Sequence, residues 1–104
     1  MASTPEAKVK KAVRKLLDSI GCYYVMPVTG GYGAQGAPDF LVCCNGKFVG
    51  IETKAGRGKT TLLQDLNLQK IRDAGGVALV IYETDLETLK ETLYKLQLEN
   101  ERES

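Results

Sequence analysis

The sequence predicts one small α/β domain, a mixed sheet flanked by helices, with elements in the order α-β-β-β-α-β-α. Three observations predict it. Asn45-Gly46 sits between two apolar runs, the strongest short signal for an antiparallel hairpin. A helical pattern separates that hairpin from a further apolar run, which marks a parallel, right-handed β-α-β crossover. The 104 residues suffice for one core but not for a catalytic domain plus a separate recognition domain.

Each element follows from local chemistry. Thr4-Pro5 is a helix start, Thr as N-cap and Pro in the first turn. Val9, Val13, Leu16, Leu17 and Ile20 then recur at helical spacing until Gly21, so the first helix spans about 5–20. Residues 22–28 (CYYVMPV) are rich in β-formers and read as a strand. A glycine loop, TGGYGAQGAP, leads into the hairpin strands DFLVCC and KFVGIETK. AGRGK at 55–59 reads as a second flexible loop. Thr60 or Thr61 caps a helix that runs to about Ala74, where Gly75-Gly76 ends it. Residues 77–82 (VALVIY) form a continuous apolar run, a buried strand. Thr84 and Glu87 have capping-box spacing before a last helix marked by Leu86, Leu89, Leu93 and Leu96. From about 98 to 104 there is no apolar face, and fraying is expected. No linker divides residues 1–104.

Composition narrows the chemistry. Histidine is absent, which excludes Ser-His-Asp and Cys-His catalysis and His-ligated zinc. The three cysteines, Cys22, Cys43 and Cys44, have no C-x-x-C spacing, and they read as small apolar residues on strands. No apolar run reaches the roughly 20 residues a membrane span needs, and the N-terminus has no apolar segment of a secretion signal. A cytoplasmic location is the expectation. Charge is uneven. Residues 1–15 hold Lys8, Lys10, Lys11, Arg14 and Lys15 against Glu6 alone, while residues 83–104 hold seven acids against Lys90, Lys95 and Arg102. A polyanion on one side fits this asymmetry, as do simply solvated helix faces.

The hairpin register gathers a charged cluster. A two-residue Asn45-Gly46 turn sets Cys44 opposite Lys47, and counting outward sets Asp39 opposite Glu52. Lys54, two residues beyond Glu52, shares its face. Two opposed carboxylates repel, and a divalent metal offsets that repulsion. Hard oxygen ligands suit Mg2+ or Mn2+, and the Lys54 ammonium then serves a metal-held water or a developing phosphorane charge. A surface Asp-Lys-Glu cluster is the alternative these three residues leave open.

Gly36-Ala37-Pro38-Asp39 before the hairpin and Glu52-Thr53-Lys54 at its end resemble the PD-(D/E)XK nuclease superfamily, whose restriction-endonuclease-like core has this element order. With Thr61-Leu62-Leu63-Gln64 opening a helix and the later Ala74-Gly75-Gly76-Val77, the chain resembles the VRR-NUC family of stand-alone phage and bacterial nucleases, from Glu6 to about Leu96. The resemblance implies that Asp39, Glu52 and the Thr53 carbonyl bind metal and that Lys54 is catalytic. Gln64 matches the helix glutamine near the site, with Gln69 as the fallback. Glu6 matches the acid of the first helix, and it continues the inward stripe of Val9, Val13, Leu16 and Ile20. A favourable acid in a first helical turn is the alternative.

Two further motifs lead nowhere. Gly31-Tyr32-Gly33-Ala34-Gln35-Gly36 spells G-x-G-x-x-G, but Pro38 and a hairpin follow where a dinucleotide site needs a helix. Gly56-Arg57-Gly58-Lys59-Thr60 is similar to a phosphate loop, but Thr53 stands where its first glycine belongs. No nucleotide cofactor is expected. Arg57 and Lys59 suit phosphates beside the site, with Lys8, Lys11 and Lys15 of the first helix. Tyr32 is a candidate for stacking on bases. The expectation is a Mg2+- or Mn2+-dependent deoxyribonuclease selective for structure, acting on branched DNA such as four-way junctions. The family resemblance implies a homodimer and a bacterial or phage-infected cell. The rival is a non-catalytic nucleic-acid-binding module on the same fold.

Overall fold

A computed structural model describes residues 4–28 and 35–103, with side chains to residue 99. The elements are α1 (Pro5–Ile20), β1 (Tyr23–Val25), β2 (Phe40–Cys44), β3 (Lys47–Thr53), α2 (Leu62–Asp73), β4 (Val77–Ile81) and α3 (Leu86–Glu103). Both ends of α1 fall where the sequence places them. The Thr4 hydroxyl accepts from Ala7 N–H at 3.1 Å. Gly21 is left-handed, at φ 86°, and its N–H bonds to Leu17 C=O. That conformation is open to glycine without strain.

The sheet order is β1-β2-β3-β4. Asn45 and Gly46 both take positive φ, 52° and 81°, as a tight turn matched to strand twist requires. The register follows: Cys44 faces Lys47 and Phe40 faces Ile51. β3 and β4 are parallel, as the crossover predicts.

Alternation assigns the two faces of the sheet. Phe40, Val42, Cys44, Val49, Ile51 and Ile81 form one core with Val9, Val13 and Leu17 of α1 and Leu89 and Leu93 of α3. α2 covers the other face over β3 and β4. Gly50 permits this: a Cβ there would lie 2.6 Å from Ile71 Cδ1 and 3.2 Å from Pro38 Cγ.

Four expectations need correction. β1 spans only Tyr23–Val25 rather than 22–28, because Pro27 has no N–H to extend an edge ladder. Cys43 is exposed, since strand alternation points it to the opposite face of the sheet from buried Cys44. The loop at 55–59 is tied down: Glu83 accepts Gly56 N–H at 3.0 Å, and Tyr82 Oη donates to Gly58 C=O at 2.7 Å. α3 begins after Asp85, whose C=O accepts from Leu89 N–H, so the cap is not the Thr84–Glu87 box. The helical backbone of α3 runs to Glu103.

Candidate active site at the end of the sheet

β3 carries Glu52 and Lys54 to the end of the sheet, where pairing with β2 has just stopped at Phe40–Ile51. Asp39 sits one residue beyond that pair, directly across from Glu52. Its carboxylate does not stack on Glu52. Instead its Oδ2 accepts from both Thr53 N–H at 2.9 Å and Thr53 Oγ1 at 2.5 Å. Charge repulsion from Glu52 and two free donors account for that orientation. A strand residue sends its N–H and C=O to the same side, so the Thr53 carbonyl also faces Asp39.

Glu52 is only 3% exposed, an unusual environment for an acid. Its Oε2 accepts from Gln64 Nε2 at 3.1 Å and lies 3.4 Å from Lys54 Nζ. Its Oε1 is buried and has no partner. Burial, and then the Asp39 charge, push the Glu52 carboxyl up to about 7, against the pull of Lys54.

Helix α2 delivers Gln64 by a local rule. Gln64 is the third residue of the helix, so the Thr61 hydroxyl accepts from its N–H at 3.1 Å while its Oε1 accepts from Thr61 N–H at 2.9 Å. The capping box fixes the amide and leaves Nε2 for Glu52. Gln69 instead donates to Asp73 at 2.9 Å, away from the site.

Helix α1 supplies the remaining charges. Glu6 is exposed, yet its carboxylate lies 3.9 Å from Lys54 Nζ. One helical turn on, Lys10 Nζ lies 3.6 Å from Asp39 Oδ1. Sequence reasoning missed Lys10. The available signal was its position four residues after Glu6, on the same flank of the helix. It also missed the Thr53 hydroxyl, having considered only that residue's carbonyl.

The expected nucleic-acid contacts divide. Arg57 and Lys59 are exposed on the loop that directly follows Lys54. Lys8, Lys11 and Lys15 are exposed along the outer side of α1, turned away from the core, and none is the lysine that meets the carboxylates. Tyr32 lies outside the described residues.

Among the described residues, no three Asp, Glu or Cys side chains gather closely enough to hold an ion. Asp39 and Glu52 would therefore need the Thr53 carbonyl and water to complete a coordination sphere, with Glu6 left on Lys54. The donors fit a hard, partly hydrated cation. The unpartnered Glu52 Oε1 is the atom that fits one best.

Two carboxylates, Glu52 buried and Asp39 partly so, thus meet a lysine at one end of the sheet, backed by a helix-borne glutamine. A solved structure described as a "VRR_NUC domain" superimposes with a TM-score of 0.73 at 24% identity, covering 86% of this chain and 97% of that one. The chain thus has the VRR_NUC fold, in the same α-β-β-β-α-β-α order. Neither a protein-family model nor a curated protein matches the sequence. No helix among the described residues is long and apolar enough to cross a membrane.

Proposed function

We propose that this chain is a metal-dependent endonuclease of the PD-(D/E)XK type that hydrolyses DNA phosphodiester bonds, acting on branched DNA as a homodimer. The observation that carries the reading is Glu52: an acid 3% exposed, with one oxygen unpartnered and an ammonium 3.4 Å from the other. Ionised, such a group raises the energy of the fold, and a cation at the unpartnered oxygen offsets that cost.

Asp39, Glu52 and the Thr53 carbonyl would hold Mg2+ or Mn2+, with Glu6 beside Lys54. The ion supplies Lewis-acid stabilisation of the phosphate and a more acidic water. The protein's own groups do the rest. Gln64 fixes one Glu52 oxygen and leaves the other, buried Oε1, without a protein partner. Thr53 holds Asp39 by two donors. Lys54, its ammonium between Glu52 and Glu6, is placed to orient the attacking water or neutralise charge at phosphorus. Arg57 and Lys59 offer phosphate contacts on the same side, with the outer face of α1 extending the basic surface. So small a domain has little surface for reading bases, which favours recognition of DNA shape. Two sites related by a two-fold axis suit paired cuts in a four-way junction.

The test is a panel of linear duplex, flap, single-stranded and four-way DNA with Mg2+ and with Mn2+. Cleavage that needs the metal and favours the junction is expected. Metal-independent binding of every DNA with no cleavage identifies a binding module instead. In the same assay, replacing Arg57 and Lys59 together by Ala should lower affinity for all sequences alike. It should also reduce the slope of log K against log salt by roughly one to two units, since each phosphate contact accounts for about 0.9. An unchanged slope removes this loop from the interface.

A further inference from the structure

We infer that Lys10 is a phosphate-binding residue for the substrate, held on Asp39 until a metal ion displaces it. The inference rests on the nuclease reading and extends it to a residue that the site motif does not contain. Lys10 differs from its neighbours on α1. Lys8, Lys11 and Lys15 are exposed, whereas Lys10 is half-buried and reaches across to the sheet end. Its Nζ lies 3.6 Å from Asp39 Oδ1, the carboxylate oxygen that Thr53 leaves free. A cation therefore already sits beside the free oxygen of Asp39. The other, Glu52, has an oxygen with no partner at all.

Charge makes the exchange follow. With Glu52 ionised, Glu6, Asp39 and Glu52 are three negative charges against Lys10 and Lys54, a deficit of one positive charge. A divalent ion on Asp39 and Glu52 turns that into an excess of one, which a single phosphodiester neutralises. The ion also repels the Lys10 ammonium from Asp39 Oδ1 at short range. Lys10 stays tethered to α1 at the mouth of the site, on a flexible stem with three rotatable donors. Glu6, one helical turn back, already lies against Lys54, so the unpaired anion offered to Lys10 is a non-bridging phosphate oxygen of the DNA. Lys10 thus gives the empty site a resident cation and the loaded site a phosphate ligand.

The experiment uses the full chain and needs no turnover. Mn2+ binding is titrated by calorimetry, and binding to four-way DNA is measured across a salt series with Ca2+ in place of Mn2+. Lys10→Met should bind Mn2+ about 2- to 5-fold more tightly than wild type, the worth of a partly exposed ion pair removed from competition. Its DNA affinity should fall, with the salt slope lower by about 0.9. Lys10→Arg should restore the slope. Lys47→Met, which removes a charge at the opposite end of β3, should leave Mn2+ affinity and slope at wild-type values. If wild type binds Mn2+ and DNA but Lys10→Met matches it in both, the inference is overturned alone. If wild type binds neither, the nuclease reading falls and takes this inference with it.

Discussion

Lys54→Met should slow single-turnover cleavage at least about 100-fold while Mn2+ and DNA still bind, the usual scale for a positioned proton-transfer or charge-stabilising group. The expectation comes from where the ammonium lies. It is 3.4 Å from Glu52 Oε2 and 3.9 Å from Glu6 Oε1, and its side chain is only 12% exposed. Two acids hold it at the mouth of the site, yet a cation cannot itself ligate a metal. Its loss should therefore act on rate more than on metal affinity. Met keeps the stem that packs beside Gly58, so a folding defect is not expected. A variant that cuts within a few-fold of wild type assigns Lys54 to the charge balance of the folded protein alone. A variant that no longer binds Mn2+ places the lysine in the structure of the metal site rather than in the chemistry.

Glu52→Gln should make the metal-free protein more stable above neutral pH and abolish Mn2+ binding. The Glu52 carboxyl ordinarily ionises near 4.5 and is pushed up to about 7 in the fold, chiefly by burial and then by Asp39. Between those values the native state holds a proton that the unfolded chain has released. Stability therefore falls as pH rises from about 4.5 to about 7, and the loss is complete above that window. Glutamine keeps an acceptor for Gln64 Nε2 and never ionises, so it removes this part of the slope. The expected gain at pH 8 is about 1–3 kcal/mol, or several degrees in Tm for a domain of this size. Thermal melts of both proteins with a chelator, from pH 4 to 8, measure it. Parallel curves for wild type and variant across that range contradict the account of Glu52.

Much of this site was legible because it hangs on one turn. Asn45-Gly46 fixes the register of β2 and β3, and the register alone sets Asp39 across from Glu52 with Lys54 beyond. Helix ends were equally legible where side-chain chemistry is local, at Thr4 and Gly21, while the start of α2 was narrowed to Thr60 or Thr61. Gln64 was legible only through the family resemblance, with Gln69 as the fallback, and the capping box at Thr61 is what settles its position beside Glu52. What was not legible depended on how separate elements dock. Within α1 the one pointer to the flank that meets the sheet end is the four-residue step from Glu6 to Lys10, a weaker signal than the cluster of outer lysines. Periodicity gave no end for β1, where Pro27 and an edge position shorten the strand. The hydrogen bonds from Thr53 to Asp39 were hidden for another reason. Asp39 is no longer in the ladder, and strand alternation stops predicting its direction once pairing ends.

The central claim is that Asp39 and Glu52 together form a metal site, and Mn2+ titration calorimetry on wild type, Asp39→Ala and Glu52→Ala tests it most directly. The account predicts saturable Mn2+ binding by wild type and none by either variant, with all three folded by circular dichroism. Unchanged Mn2+ affinity in both variants would contradict it.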